Sequence, residues 1–72
     1  MSAWEPSVDD MQMMEVDGLT IYASNDGSWA IWKTIGGTTM RINSAGEDND
    51  YGIDIESAKS LALAYAHKHL KR

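Results

Sequence analysis

The stretch DIESAKSLALAYAHKHL, residues 54–70, decides the fold. At 100° per residue, Ile55, Ala58, Leu61, Ala62, Tyr65, Ala66 and His69 fall on one arc, while Glu56, Ser60, His67, Lys68 and Lys71 point away. That spacing predicts a single amphipathic helix with one packing face. Asp54 is placed to accept a hydrogen bond from the backbone N–H of Ser57 as N-cap, and Ile53 to pack on Ala58 as a hydrophobic staple. Asp54 and Glu56 sit at the positive end of the helix dipole; His67, Lys68, His69, Lys71 and Arg72 crowd the negative end. Ala58, Ala62 and Ala66 let the axis approach a sheet closely, with Leu61 and Tyr65 filling the flanks.

The preceding residues supply that sheet. Leu19 to Ser24 alternates, with Leu19, Ile21 and Ala23 on one face and Thr20 and Tyr22 on the other. Asn25-Asp26-Gly27 fits a three-residue hairpin loop, which sets Ile21 opposite Ile31, Tyr22 opposite Ala30 and Ala23 opposite Trp29. Gly36-Gly37 closes a second hairpin into Thr38 to Asn43, so that Ile31 is expected to face Ile42 and Trp32 to face Arg41. The core row is then Ile21, Ile31 and Ile42, joined by Leu19, Trp29, Ile35 and Met40. Met11 to Val16 suits either a helical turn, with three methionines in four positions, or a strand, with Met14 and Val16 alternating. Asp17-Gly18 favours the strand, because a two-residue hairpin there pairs Val16 with Leu19 and Met14 with Ile21. The fold class expected is α+β: a three- or four-stranded antiparallel β-meander packed against one C-terminal α-helix, over residues 11–72, with 1–10 as a flexible acidic tail in which Trp4 is the one aromatic.

Seventy-two residues amount to one small domain with a modest core. Cysteine is absent, which excludes disulfides, thiolate chemistry and cysteine-bound zinc and points to an intracellular protein. No apolar run approaches the roughly 20 residues that span a bilayer, and the first residues lack the pattern of a secretory leader, so a cytoplasmic location and no membrane partner are expected. Net charge is −5, unevenly spread. Residues 1–17 carry Glu5, Asp9, Asp10, Glu15 and Asp17 and no base; residues 47–58 carry Glu47, Asp48, Asp50, Asp54 and Glu56 and no base. Between them the sheet residues bear only Asp26, Lys33 and Arg41, and the chain closes on Lys59, Lys68, Lys71 and Arg72.

Groups with catalytic spacing are missing. No phosphate-binding glycine loop or serine elbow occurs, and His67 and His69 lie two residues apart on a helix, about 200° around the axis, where they cannot share an ion. Asp48 and Asp50 match the first and third ligands of a calcium loop, but its glycine falls one position early and no glutamate closes it. No enzyme, cofactor or metal is expected. The candidate residues are instead a partner-binding set: Tyr22, Trp32 and Arg41 on the sheet's outer face, where the register places Arg41 for a cation–π contact with Trp32, and acidic Glu47, Asp48 and Asp50 in the loop before the helix.

The run Asp26-Gly27-Ser28-Trp29, followed by strand, turn and strand, and then Ser57-Ala58-Lys59-Ser60-Leu61-Ala62 in the helix, resembles small phage-encoded sheet-plus-helix proteins of unknown function, over residues 18–70. The layout is also similar to three-stranded DNA-binding domains of the integrase arm-binding type, whose sheets enter the major groove and carry several basic residues. This sheet offers only Lys33 and Arg41 and is flanked by acid, which opposes phosphate contact. The resemblance supports the fold more than the function; the acidic surface, the absence of catalytic groups and the exposed Trp32 and Tyr22 lead to the expectation of a non-enzymatic interaction protein, phage- or mobile-element encoded, that binds and inhibits a host protein in the host cytoplasm. Its acidic patches (Asp9, Asp10 and Glu15; Glu47, Asp48 and Asp50) either mimic nucleic acid, as in some anti-restriction and anti-CRISPR proteins, or serve only to keep the protein in solution. A nucleic-acid-binding module using the open sheet face is the alternative, nucleic acid being the less expected partner, and a homodimer is open to so small a domain.

Overall fold

The structure, a computed structural model, describes residues 4–8, 10–46 and 49–70. Strands β1 (Glu5–Pro6), β2 (Met11–Val16), β3 (Leu19–Ser24), β4 (Trp29–Ile35) and β5 (Thr38–Ser44) form one antiparallel meander in chain order, and helix α1 (Ile55–Leu70) lies across β3 and β4. The fold is α+β with a sheet of five strands where three or four were expected. The additional strand is β1, within the stretch read as an acidic tail, which pairs with β2 through Glu5–Met13 and Pro6–Gln12. Two residues, one of them proline, carry no alternation that a sequence could reveal. Trp4, immediately before, is half-buried against the core, with the Lys59 ammonium 5.4 Å from its ring centroid.

Local chemistry sets the register. Asp17 and Gly18 both take positive φ, 47° and 85°, the geometry of a two-residue turn whose twist matches its strands, and Val16–Leu19 and Met14–Ile21 pair as that turn requires. After β3, the Ser28 N–H donates to the Asp26 carboxylate at 2.9 Å and Gly27 closes the loop in the left-handed region at φ 92°. Ile21–Ile31 and Ala23–Trp29 follow.

Beyond Trp32 the expected register changes. Trp32 pairs with Arg41, but Ile31 pairs with Asn43, so Ile42 is the extra residue of a β-bulge and does not face Ile31. Ile42 is half-buried at the margin of the core. Ile35 and Met40 also depart from expectation, at 58% and 50% exposure, because α1 crosses β3 and β4 and leaves the far end of the β4–β5 hairpin uncovered.

The core comprises Met14, Leu19, Ile21, Ala23, Trp29 and Ile31 from the sheet and Ala58, Ala62 and Ala66 from the helix. Three alanines bring the axis close, and Tyr65 reaches down to stack on Trp29, ring centroids 5.0 Å apart at 17°. The Trp29 indole N–H donates to the Asp50 carbonyl at 2.8 Å, so this buried aromatic leaves no polar group unsatisfied. His69, on the predicted inner arc, is exposed beyond the end of the core, whereas Leu63 is half-buried against it.

Asp54 caps the helix as expected: the Ser57 N–H donates to its carboxylate at 2.9 Å, while the Ile53 and Asp54 N–H groups donate to the Ser57 hydroxyl at 2.9 and 3.2 Å. The hydrophobic staple does not form, and Ile53 is 90% exposed. Gly52 holds the place beside Ala58; a Cβ there would lie 2.5 Å from the Ala58 nitrogen. Its N–H donates to the Gly27 carbonyl at 2.8 Å, which pins the loop before α1 to the β3–β4 hairpin and turns Ile53 outward.

A groove on the uncovered face of the sheet

The face opposite α1 is built from alternate residues. Cross-strand rows run Glu5, Met13, Tyr22, Ala30, Ser44 and then Glu15, Thr20, Trp32, Arg41, with Thr34 and Thr39 as the last pair. Small residues stand opposite the large ones, Ala30 across from Tyr22 and Thr20 across from Trp32, so the aromatics lie diagonally on adjacent strands. Both are half-buried and form the floor of an open groove of about 580 Å³. Ser7, Val8 and Met11 make one wall, and Thr34 and Thr39, with hydroxyls 2.9 Å apart, lie toward the other end.

Arg41 extends over this floor, its guanidinium carbon 5.9 Å from the Trp32 ring centroid. That is a cation–π contact worth roughly 0.5–1 kcal/mol at an exposed site. Among the described residues no carboxylate lies within ion-pair distance of Arg41, so its charge is available at one end of a row that begins with exposed Glu15. The face is bipolar across its short dimension, acidic on β2 and basic on β5, with apolar surface between.

The predicted partner-binding residues thus divide. Tyr22, Trp32 and Arg41 come together on the outer face. Asp50 does not join them: its carbonyl is held by the Trp29 indole, on the helix side of the sheet. Glu47 and Asp48 lie outside the described residues, as does Asp9. Gly46 and Asn49 exchange backbone hydrogen bonds, and the Asn49 amide donates to the Ser44 carbonyl at 2.8 Å.

Thr34 and Thr39 lie on the outer face, as their strand parity predicts, whereas Val8 and Met11 were not placed there from the sequence. For Met11 a signal existed, since strand alternation from buried Met14 puts Met11 and Met13 on the outer face; for Val8 none did, because its place depends on β1. The carboxyls that depart from ordinary behaviour are elsewhere. The Ser28 N–H holds the Asp26 carboxyl below its usual pKa, and the Ser57 N–H does the same for Asp54, so both serve turn and cap geometry. Among the described residues, no group of three potential metal ligands is close enough to hold an ion, and no helix is long and apolar enough to cross a membrane.

No family model, curated protein or solved structure matches this chain.

Proposed function

We propose that the chain is a non-enzymatic interaction protein that engages a host protein through the uncovered face of its sheet and inhibits it, in the manner of small phage or mobile-element proteins. The observation that carries this reading is the groove floored by Tyr22 and Trp32. Large aromatics in an open apolar depression, ringed by polar groups, are the usual anchors of protein recognition. The acidity of the chain favours a basic partner, such as a nucleic-acid-handling protein. Glu5 and Glu15 place part of that charge on the same face.

A nucleic-acid ligand is the second reading, favoured by Arg41 above Trp32 and by two aromatics in one groove. Stacking contributes roughly 1–3 kcal/mol per base. The electrostatic term that dominates such binding needs several cations, however, and among the described outer-face residues Arg41 stands against Glu5 and Glu15. The balance favours protein.

Affinity capture from bacterial lysate, with wild type and Trp32→Ala side by side at low and high salt, tests the proposal. A basic protein retained by wild type, released by salt and weakened at least about tenfold by Trp32→Ala is the expected result. Equal retention by both removes the face from the account. Quenching of tryptophan fluorescence by single-stranded oligonucleotide at low salt, abolished in Trp32→Ala, would favour the second reading instead.

A further inference from the structure

We infer that the free edge of β5 pairs with β5 of a second copy, in a register centred on Met40, joining two sheets into one. The two edges of this sheet are guarded very differently. At one end β1 is two residues long and contains Pro6, which has no N–H to offer. At the other, β5 runs seven residues, Thr38–Ser44, with no lysine, proline or acid, and its charge is Arg41 alone. The Ile35–Thr38 pair closes a two-residue hairpin, so Thr38 and Met40 turn their backbone groups toward β4. Thr39 and Arg41 therefore direct theirs outward, unpaired among the described residues.

Symmetry then selects the register. An antiparallel two-fold pairing keeps each face continuous only when it is centred on a residue. Centring on Arg41 sets two guanidinium groups side by side, and centring on Thr39 leaves the shortest overlap. Centring on Met40 pairs Thr39 with Arg41 of the other copy in both directions, which uses all four outward groups in reciprocal backbone hydrogen bonds. It also sets Met40 against its counterpart on the helix side, next to uncovered Ile35, so the apolar surface that α1 leaves bare gains cover. Charge agrees: a chain of net charge −5 meets its copy along its least acidic element. The bulge at Ile42 confines regular pairing to a few residues, fewer than a standard interface of about 800 Å² per partner involves, so the dimer is reversible and concentration-dependent. Pairing runs along the edge and leaves the groove face of each copy open, so it is independent of the partner proposed above.

Sedimentation equilibrium of the intact chain up to about 500 µM tests this. The expected mass rises from 8.0 kDa toward twice that value with concentration. Thr39→Pro, which removes an outward N–H and no backbone bond to β4, only the exposed hydroxyl contact with Thr34, and Met40→Asp, which sets two carboxylates across the axis at an exposed site, should both stay monomeric with unchanged circular dichroism. Because the chain has no cysteine, Met40→Cys provides a register test: it should form a disulfide-linked dimer on mild oxidation, whereas Thr34→Cys should not. A wild type that stays monomeric throughout, or a dimer that survives both Thr39→Pro and Met40→Asp, would overturn the inference; absence of the Met40→Cys cross-link in a dimeric protein would overturn the register.

Discussion

The two faces of the sheet carry similar side chains to different ends. Trp29 and Trp32 stand three residues apart on β4, on opposite faces. Trp29 is covered by Tyr65, its N–H is accepted by the Asp50 carbonyl, and it belongs to the core. Trp32 is half-buried between Thr20 and Arg41, with no element across it among the described residues. The same residue type is a structural group on one face and an available surface on the other. What distinguishes them is the single helix, which covers one face only.

Substitutions that empty the covered face should cost most. Ile31→Ala, at a fully buried position, is expected to lose roughly 2–5 kcal/mol, and Trp29→Ala roughly 3–5 kcal/mol, enough to unfold a domain of this size. Urea denaturation followed by far-ultraviolet circular dichroism measures both, and a stable Ile31→Ala variant would contradict the placement of the helix. Gly27→Ala comes next. Its backbone sits at φ 92°, and a Cβ would fall 1.9 Å from the Gly52 carbonyl oxygen, so the contact tying the hairpin to the helix start must open. At least about 1 kcal/mol should be lost in the same assay.

Smaller effects follow at the exposed cap. Asp54→Ala should lower the melting temperature by a few degrees, with Asp54→Asn largely preserving it, since an asparagine oxygen accepts the same Ser57 N–H. The pKa values of Asp26 and Asp54 are depressed in the folded state, so each contributes stability that is fully present above the ordinary carboxyl value of 3.8 and is lost as pH falls through the lower folded values. Melting temperatures should therefore decline below about pH 4, less steeply in Asp54→Asn. Smallest of all, Ile35→Ser should leave stability within roughly 0.5 kcal/mol, because that apolar group lies beyond the helix.

Much of this arrangement was legible in the residues. Hairpin chemistry at Asp17-Gly18 and Asn25-Asp26-Gly27 fixed the pairing of β2, β3 and β4, and the alanine-lined arc located the helix. Features that depend on nonlocal geometry were not legible. The bulge at Ile42 shifts the register within a β4–β5 ladder that continues to Ser44, and Ile35 and Met40 keep a core-like alternation although no helix reaches them. Ile53 has the spacing of a staple, yet the approach of Gly52 to Gly27 and Ala58 denies it the position. For the groove, the aromatic floor and Arg41 could be read from strand parity, while Val8 could not, since only the β1 pairing brings it there.

Thermal melting of Trp32→Ala tests the central claim most directly, that the groove face is a surface for recognition and not a second core. The loss expected is about 1 kcal/mol or less, the scale of its contact with Arg41, with a cooperative transition retained. A Trp32→Ala variant that unfolds, or loses as much stability as Ile31→Ala, would show that this face holds the fold together and would contradict the account.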